Sequence, residues 1–122
     1  MIVPVACRTA PPGSPALSGA LKIRLAEGSL ARRIHGRGDI EEAFFCSYEL
    51  NPRWEAPLAA TGLRLAGRGE NGEVRVIERP DRRFFVGTSY LPQTGSRADA
   101  PHPLIVAFVR AVAAFATRRG RP

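Results

Sequence analysis

Leu63-Arg64-Leu65-Ala66 and Val74-Arg75-Val76-Ile77 flank Gly69-Glu70-Asn71-Gly72, and the reading of this stretch decides the fold. Two short runs alternate apolar and charged residues, as half-buried strands do. Asn-Gly between them is a favoured pair for a tight hairpin turn, because both residues tolerate positive φ. Toward the C-terminus, Phe84-Phe85-Val86-Gly87-Thr88 is mostly apolar and predicts a strand buried on both faces. Pro101-His102-Pro103 then opens a helix through Ala116, with Leu104, Phe108, Ala111, Val112 and Phe115 on one face. Burying the four large members of that face is worth roughly 6–12 kcal/mol, so the helix is expected to dock on a sheet.

Toward the N-terminus, Asn51 caps a helix that has Pro52 at its first position, runs to Ala60 and stops at Gly62. Ile40 to Leu50 reads as one strand. Ser29 caps a short helix through Ile34 that Gly36 ends, and Leu21-Lys22-Ile23-Arg24-Leu25 alternates as a half-buried strand. Residues 8–20, rich in Pro and Gly, read as an irregular loop. The expected class is α/β or α+β, with helices on a mixed sheet. Residues 1–20 form an irregular segment, 21–117 the domain and 118–122 a basic tail.

A chain of 122 residues has room for one domain and one modest core. No run of 18 apolar residues is present, which excludes a membrane-spanning helix. No basic segment precedes the short apolar stretch Met1–Cys7, so no secretory signal is expected. Cys7 and Cys46 make neither a disulfide framework nor a four-ligand zinc site, and a reducing cytoplasm is the expected compartment. The net charge of +7 invites a nucleic-acid partner. Seventeen of the 18 cations are Arg, scattered among abundant Ala, Gly and Pro, with no interleaved aromatics of the kind single-strand binders use. A solvated surface is the expectation, and an Arg-rich nucleic-acid module the alternative.

Six pieces in order carry a family resemblance: Glu27–Gly36, Tyr48–Pro52, Thr61–Gly67, Gly72–Asp81, Phe84–Thr88 and Pro101–Val109. From about residue 21 to 116 the chain resembles the C-terminal half of the class I glutamine amidotransferase domain of CTP synthase. It is most similar there to stand-alone proteins related to that synthase's C-terminal region. The resemblance implies the C-terminal half of a flavodoxin-like α/β fold: a mixed sheet with a β-hairpin and a C-terminal helix. It also implies a thiol mechanism. In that family a Cys on a strand-to-helix elbow attacks the glutamine amide, a His activates it, and a Glu two residues later orients the His.

In this chain Leu91 stands at the His position and Gln93 at the Glu position, within Tyr90-Leu91-Pro92-Gln93. Leucine neither accepts nor donates a proton, and losing the base of an interdependent triad costs on the order of a million-fold. Where the family has Arg-His-Arg-Tyr over the nucleophile, the chain has Phe45-Cys46-Ser47-Tyr48, the candidate substrate-pocket residues. Neither Cys7 nor Cys46 lies in a Gly-x-Cys-x-Gly elbow, which in the family belongs to the N-terminal half.

The expected function is therefore a catalytically degenerate, truncated amidotransferase-like protein. An alternative is a thiol-dependent hydrolase or redox protein using Cys46, or an elbow Cys on a missing N-terminal half. Half an α/β domain leaves an apolar strand edge, so a second chain or that N-terminal half is the expected partner. A glutamine-like small molecule is the candidate ligand; no cofactor, metal or membrane is expected. Cys46 reads as a small buried strand residue, His35 as a helix-end or surface residue, and His102 as structural, with no acid beside it. His102 also matches the family's Pro-His-Pro at the start of the last helix, which is outside the triad. Glu41 and Glu42 point to opposite faces of a strand and read as solvated, and Trp54 as a packing residue.

Overall fold

The computed structural model describes residues 1–4, 18–45 and 48–119. Its strands are β1 (Ile2–Pro4), β2 (Ser18–Leu25), β3 (Asp39–Phe45), β4 (Tyr48–Leu50), β5 (Arg64–Gly69), β6 (Val74–Glu78) and β7 (Val86–Thr88). The helices are α1 (Leu30–His35), α2 (Glu55–Ala60) and α3 (Pro103–Arg119), with 3-10 turns at Pro52–Trp54 and Pro92–Gly95. One five-stranded sheet has the order β3-β2-β5-β6-β7, and β1 pairs with β4 apart from it.

Every strand pairing among the described residues is antiparallel, so the expected mixed character of the sheet is not seen in this part of the fold. The sheet is curled. Past β7 the chain swings back to the opposite edge, and the Leu91 N–H donates to the Ala43 carbonyl of β3 at 2.9 Å.

The β5–β6 hairpin forms where the sequence places it, but its turn is longer than a two-residue one. Gly72 N–H donates to the Gly69 carbonyl, Gly69 N–H to the Glu73 carbonyl, and Gly72 takes the left-handed φ of 82°. That is a β-turn followed by a left-handed glycine, the three-residue hairpin solution. The pairing then shifts register around Gly67, and a Cβ there would lie 2.8 Å from Val76 Cγ2. The side-chain-free position lets the curled sheet close on itself.

Inside the curl lie Ile23, Leu25, Ile40, Ala66, Val76 and Tyr90, with Ala31 of α1 as the lid. The anchor of that lid is electrostatic. Glu78 of β6 is 2% exposed and points its carboxylate at the start of α1. Its Oε1 accepts from the Leu30 N–H at 3.1 Å and its Oε2 from the Ala31 N–H at 3.2 Å. Ser29 Oγ accepts the Arg32 N–H, and the Ser29 N–H itself donates to the Ala26 carbonyl. All four N-terminal donors of α1 are thus satisfied, two of them by an anion where the helix dipole favours one. Arg64 adds a hydrogen bond to Glu78 Oε1 at 3.2 Å.

Four further expectations about the strands and helices are corrected. Strand β2 starts at Ser18, so residues 18–20 belong to the sheet; residues 5–17 lie outside the described residues. The single strand Ile40–Leu50 is two, because β3 stays in the main sheet while β4 leaves to pair with β1. The Phe84–Thr88 run yields only the three residues of β7, and Phe85 is 43% exposed. The reason is position: β7 is the last strand of the sheet order and has no strand beyond it.

The fourth correction concerns α3. It runs to Arg119 and packs on α1 and the Pro92–Gly95 turn rather than on the sheet. The curled sheet has already filled its inner face with α1 and Tyr90. Only Leu104 of the predicted face is buried, while Phe108, Val112 and Phe115 stand exposed. Trp54 is likewise exposed rather than packed.

Replacing Glu78 by Ala orphans the Leu30 and Ala31 N–H groups. It is expected to lower the unfolding free energy by about 2–6 kcal/mol, read as the urea midpoint. Arg64→Ala, at a half-exposed site, should cost at most about 1 kcal/mol.

Candidate functional site

Helix α1, held at its start by Glu78, delivers His35 at its end, and three further polar side chains converge there. The inward face of β3 supplies Glu42, two residues from the core residue Ile40 and opposite Leu21 of β2. The chain after β7 supplies Tyr90, 3% exposed, and the start of α3 supplies His102, 6% exposed. His102 Nε2 lies 2.9 Å from Glu42 Oε1, Tyr90 Oη lies 3.4 Å from His35 Nε2, and the two imidazole rings meet edge to face at 5.4 Å.

The hydrogen bonds fix the proton positions. His102 Nδ1 accepts the Leu104 N–H at 3.2 Å, while the Ile105 and Val106 N–H groups go to the His102 carbonyl. With Pro103 carrying no N–H, the start of α3 is fully satisfied by His102 alone. Because Nδ1 is an acceptor, the proton sits on Nε2 and is donated to Glu42. Tyr90 is pushed well above the usual phenol range by burial, with the Glu42 charge adding to it, so it stays a donor. Its O–H donates to His35 Nε2. Burial lowers the His35 pKa from 6.5 and outweighs the opposing attraction of Glu42; His102 and Arg37 lower it further.

The ligand atoms of His35, Glu42 and His102 lie within 4.8 Å of one another, the only grouping of metal-ligand type among the described residues. The chemistry does not fit an ion. A metal on His102 Nε2 requires the proton on Nδ1, which would expel the Leu104 N–H and uncap α3. In metal sites the second ring nitrogen donates outward, whereas here it accepts. What the cluster does is join four distant segments through paired polar atoms.

Two expectations change as a result. His102 has an acid beside it, and Glu42 is buried rather than solvated, although Glu41 and Glu42 do point to opposite faces. The one signal available in the sequence is parity: Glu42 shares the face of Ile40. His35 is half-buried against Tyr90 and is not a plain surface residue.

Leu91 is half-buried just before the 3-10 turn at Pro92–Gly95, and Gln93 is exposed on that turn. The Leu91–Ala43 hydrogen bond sets Leu91 beside the end of β3, where Phe45 is 58% exposed. Cys46 and Ser47 lie outside the described residues. Tyr48 lines a different feature, an apolar hollow of about 460 Å³ between β1–β4 and the hairpin, with Ile2, Leu50 and Ile77. The buried Arg75 on its wall bonds Glu73, while Arg75 Nη1 and Ser89 Oγ have no partner among the described residues. Of the described positions at which the chain departs from the amidotransferase pattern, Phe45 and Leu91 lie at the Leu91–Ala43 junction and Gln93 on the turn that follows, while Tyr48, which keeps the pattern, lines the hollow.

Sequence comparison finds 41% identity to the CTP synthase of Saccharolobus solfataricus over 97 residues, 80% of this chain and 18% of that protein. The CTP synthase of Flavobacterium psychrophilum is 42% identical over 94 residues, 76% of this chain and 18% of that protein. The fold of a Trypanosoma brucei CTP synthase glutaminase domain with bound acivicin matches 92% of this chain and 45% of its own, with a TM-score of 0.82 and 22% identity. The chain is similar in sequence to part of CTP synthase and shares the fold of a CTP synthase glutaminase domain. It spans about a fifth of the length of these synthases. No protein-family model matches it. Among the described residues, no helix is long and apolar enough to cross a membrane.

The lowered pKa of His35 sets a pH dependence. Between the unfolded value of 6.5 and the lower folded value, the unfolded chain binds the extra proton, so stability rises with pH. The His35 contribution is complete above 6.5 and is lost as the pH falls toward the folded value. Urea midpoints between pH 7.5 and 5.5 should fall on acidification, and His35→Gln should flatten that slope.

Proposed function

We propose that this chain is a catalytically degenerate relative of the CTP synthase glutaminase domain, a pseudoenzyme that hydrolyses no glutamine by itself. The observation that carries the reading is the pair Leu91 and Gln93 at the positions where the amidotransferase pattern has His and Glu. A thiol near neutral pH needs a paired imidazole to become the attacking thiolate, and a carboxylate holds that imidazole in place. Leu91 offers a hydrocarbon, and Gln93 a neutral amide. Phe45-Cys46-Ser47 brings no cation where the pattern has two arginines, so the carboxylate of an amino-acid substrate loses its ion partners.

The fold supports the same reading from the other side. The Glu78 lock, the His102 cap and the curled core maintain a scaffold without serving any proton transfer at residue 91. The role left to such a scaffold is binding: a glutamine-like small molecule, or a protein partner that completes it. A cytoplasmic setting beside pyrimidine nucleotide synthesis goes with this proposal.

Glutamate release from glutamine should stay at the level of a protein-free blank. The Leu91→His/Gln93→Glu double variant should stay there too, because no Gly-x-Cys-x-Gly elbow is present in this sequence. Release by the wild-type chain that disappears in Leu91→Ala would overturn the proposal.

A further inference from the structure

The hollow of about 460 Å³ between β1–β4 and the hairpin has a buried cation on its wall with donors unused. Arg75 is 5% exposed. Its Nε and Nη2 both donate to Glu73 Oε1, at 3.1 and 3.0 Å, so one edge of the guanidinium is taken. Nη1 carries two further N–H groups, and nothing among the described residues accepts from them. Ser89 Oγ is in the same state. The two belong together. Ser89 N–H donates to the Arg75 carbonyl at 2.9 Å, one step beyond the Val76–Thr88 pair, so the residues stand opposite each other on one face of the sheet. Buried donors without acceptors are costly and rare in folded proteins, and two of them beside an open cavity mark where an acceptor binds.

The rest of the wall is mainly apolar, with half-buried Leu50, Leu58, Leu63 and Ile77 and the exposed Tyr48. Gly87 faces Ile77 across the β6–β7 pair, and a Cβ there would lie 3.0 Å from Ile77 Cγ1. The missing side chain leaves the Ile77 wall bare.

Charge decides the class of ligand. Glu49 Oε2 lies 3.8 Å from Arg75 Nη2, so with Glu73 two carboxylates already face one guanidinium. An anion entering beside them would find no uncompensated cation. A cation would find Glu49 but leave Nη1 without an acceptor. An uncharged carbonyl oxygen meets both conditions, since its two lone pairs can accept from Nη1 and Ser89 Oγ without adding charge.

We infer that this hollow is a binding site for an uncharged, largely apolar small molecule whose carbonyl oxygen is held by Arg75 and Ser89. It is separate from the Leu91–Ala43 junction, since neither Leu91 nor Gln93 lines it, and it rests on neither the kinship nor the loss of catalysis.

Three probes of one shape test it on the full chain: 4-phenylbutanamide, the 4-phenylbutanoate anion and 4-phenylbutylammonium. Binding is read from the backbone amide chemical shifts of isotope-labelled protein. The amide is expected to give saturable shifts centred on Ile77, Gly87 and Ser89, and to bind about tenfold more tightly than either charged probe. Ser89→Ala, which removes one donor, should weaken it about fivefold. Leu50→Trp, which fills the hollow with a larger apolar side chain, should abolish binding, with circular dichroism of both variants matching the wild-type chain. Arg75 is left in place, because its removal would strand Glu49 and Glu73. Val112→Ser, on the exposed side of α3, should change nothing. Four results would overturn the inference: no saturable shift with the amide, which would leave Nη1 to water alone; tighter binding of the anion; binding that Ser89→Ala leaves intact; or shifts centred on the Pro92–Gly95 turn. Glutaminase activity, present or absent, bears only on the preceding proposal.

Discussion

A single buried carboxylate organises this fold. Glu78 sits on the inner face of β6, where an isolated charge would be costly, and its cost is offset because the start of α1 supplies two N–H donors and a favourable dipole. The same contact that keeps the charge tolerable fixes where the helix lies. Once α1 is placed, Ala31 closes the core and His35 stands at the far end, against Tyr90. Geometry at the polar cluster therefore derives from an interaction on another strand and at the opposite end of the helix.

Helix α3 uses the same device with different atoms. His102 fills the roles at α3 that Ser29 and Glu78 share at α1: one side-chain acceptor for an early N–H, and a carbonyl for the next two. Its other nitrogen is then committed to Glu42, so cap and buried hydrogen bond depend on one tautomer. This arrangement accounts for a His, a Glu and a second His meeting in the interior without acting as metal ligands. It also separates the cluster from the lost chemistry. Tyr90 faces the interior, and the next residue, Leu91, closes the sheet through its main chain.

Features encoded by near neighbours were legible in the sequence. Ser29 and Gly36 bound α1, Asn51 and Pro52 open the next helical segment, and the Gly69–Gly72 turn marks the hairpin, each through contacts a few residues apart. The family relationship was legible as well, from six ordered pieces. Interactions between distant positions were not. Glu42 and His102 are 60 residues apart, and Glu78 and Leu30 are 48 apart. Nothing local to Glu42 reports the partner; its shared parity with Ile40 is the one trace, and the Glu41–Glu42 pair reads as solvated. For α3 the periodicity correctly marked an apolar face, but periodicity carries no information about what covers it. The sheet could not, because curling had already closed its inner side.

The closing bond from Leu91 to Ala43 has a consequence for how this protein meets others. An open sheet offers unpaired main-chain groups at both edges, which any extended peptide can read regardless of sequence. Here the Leu91 N–H already occupies the Ala43 carbonyl on the β3 edge, so an incoming strand finds that position taken, while β7 keeps its outer edge. At the β3 end, contact is thereby shifted from backbone to side chains, from an edge that any strand can extend to one that discriminates by shape and charge.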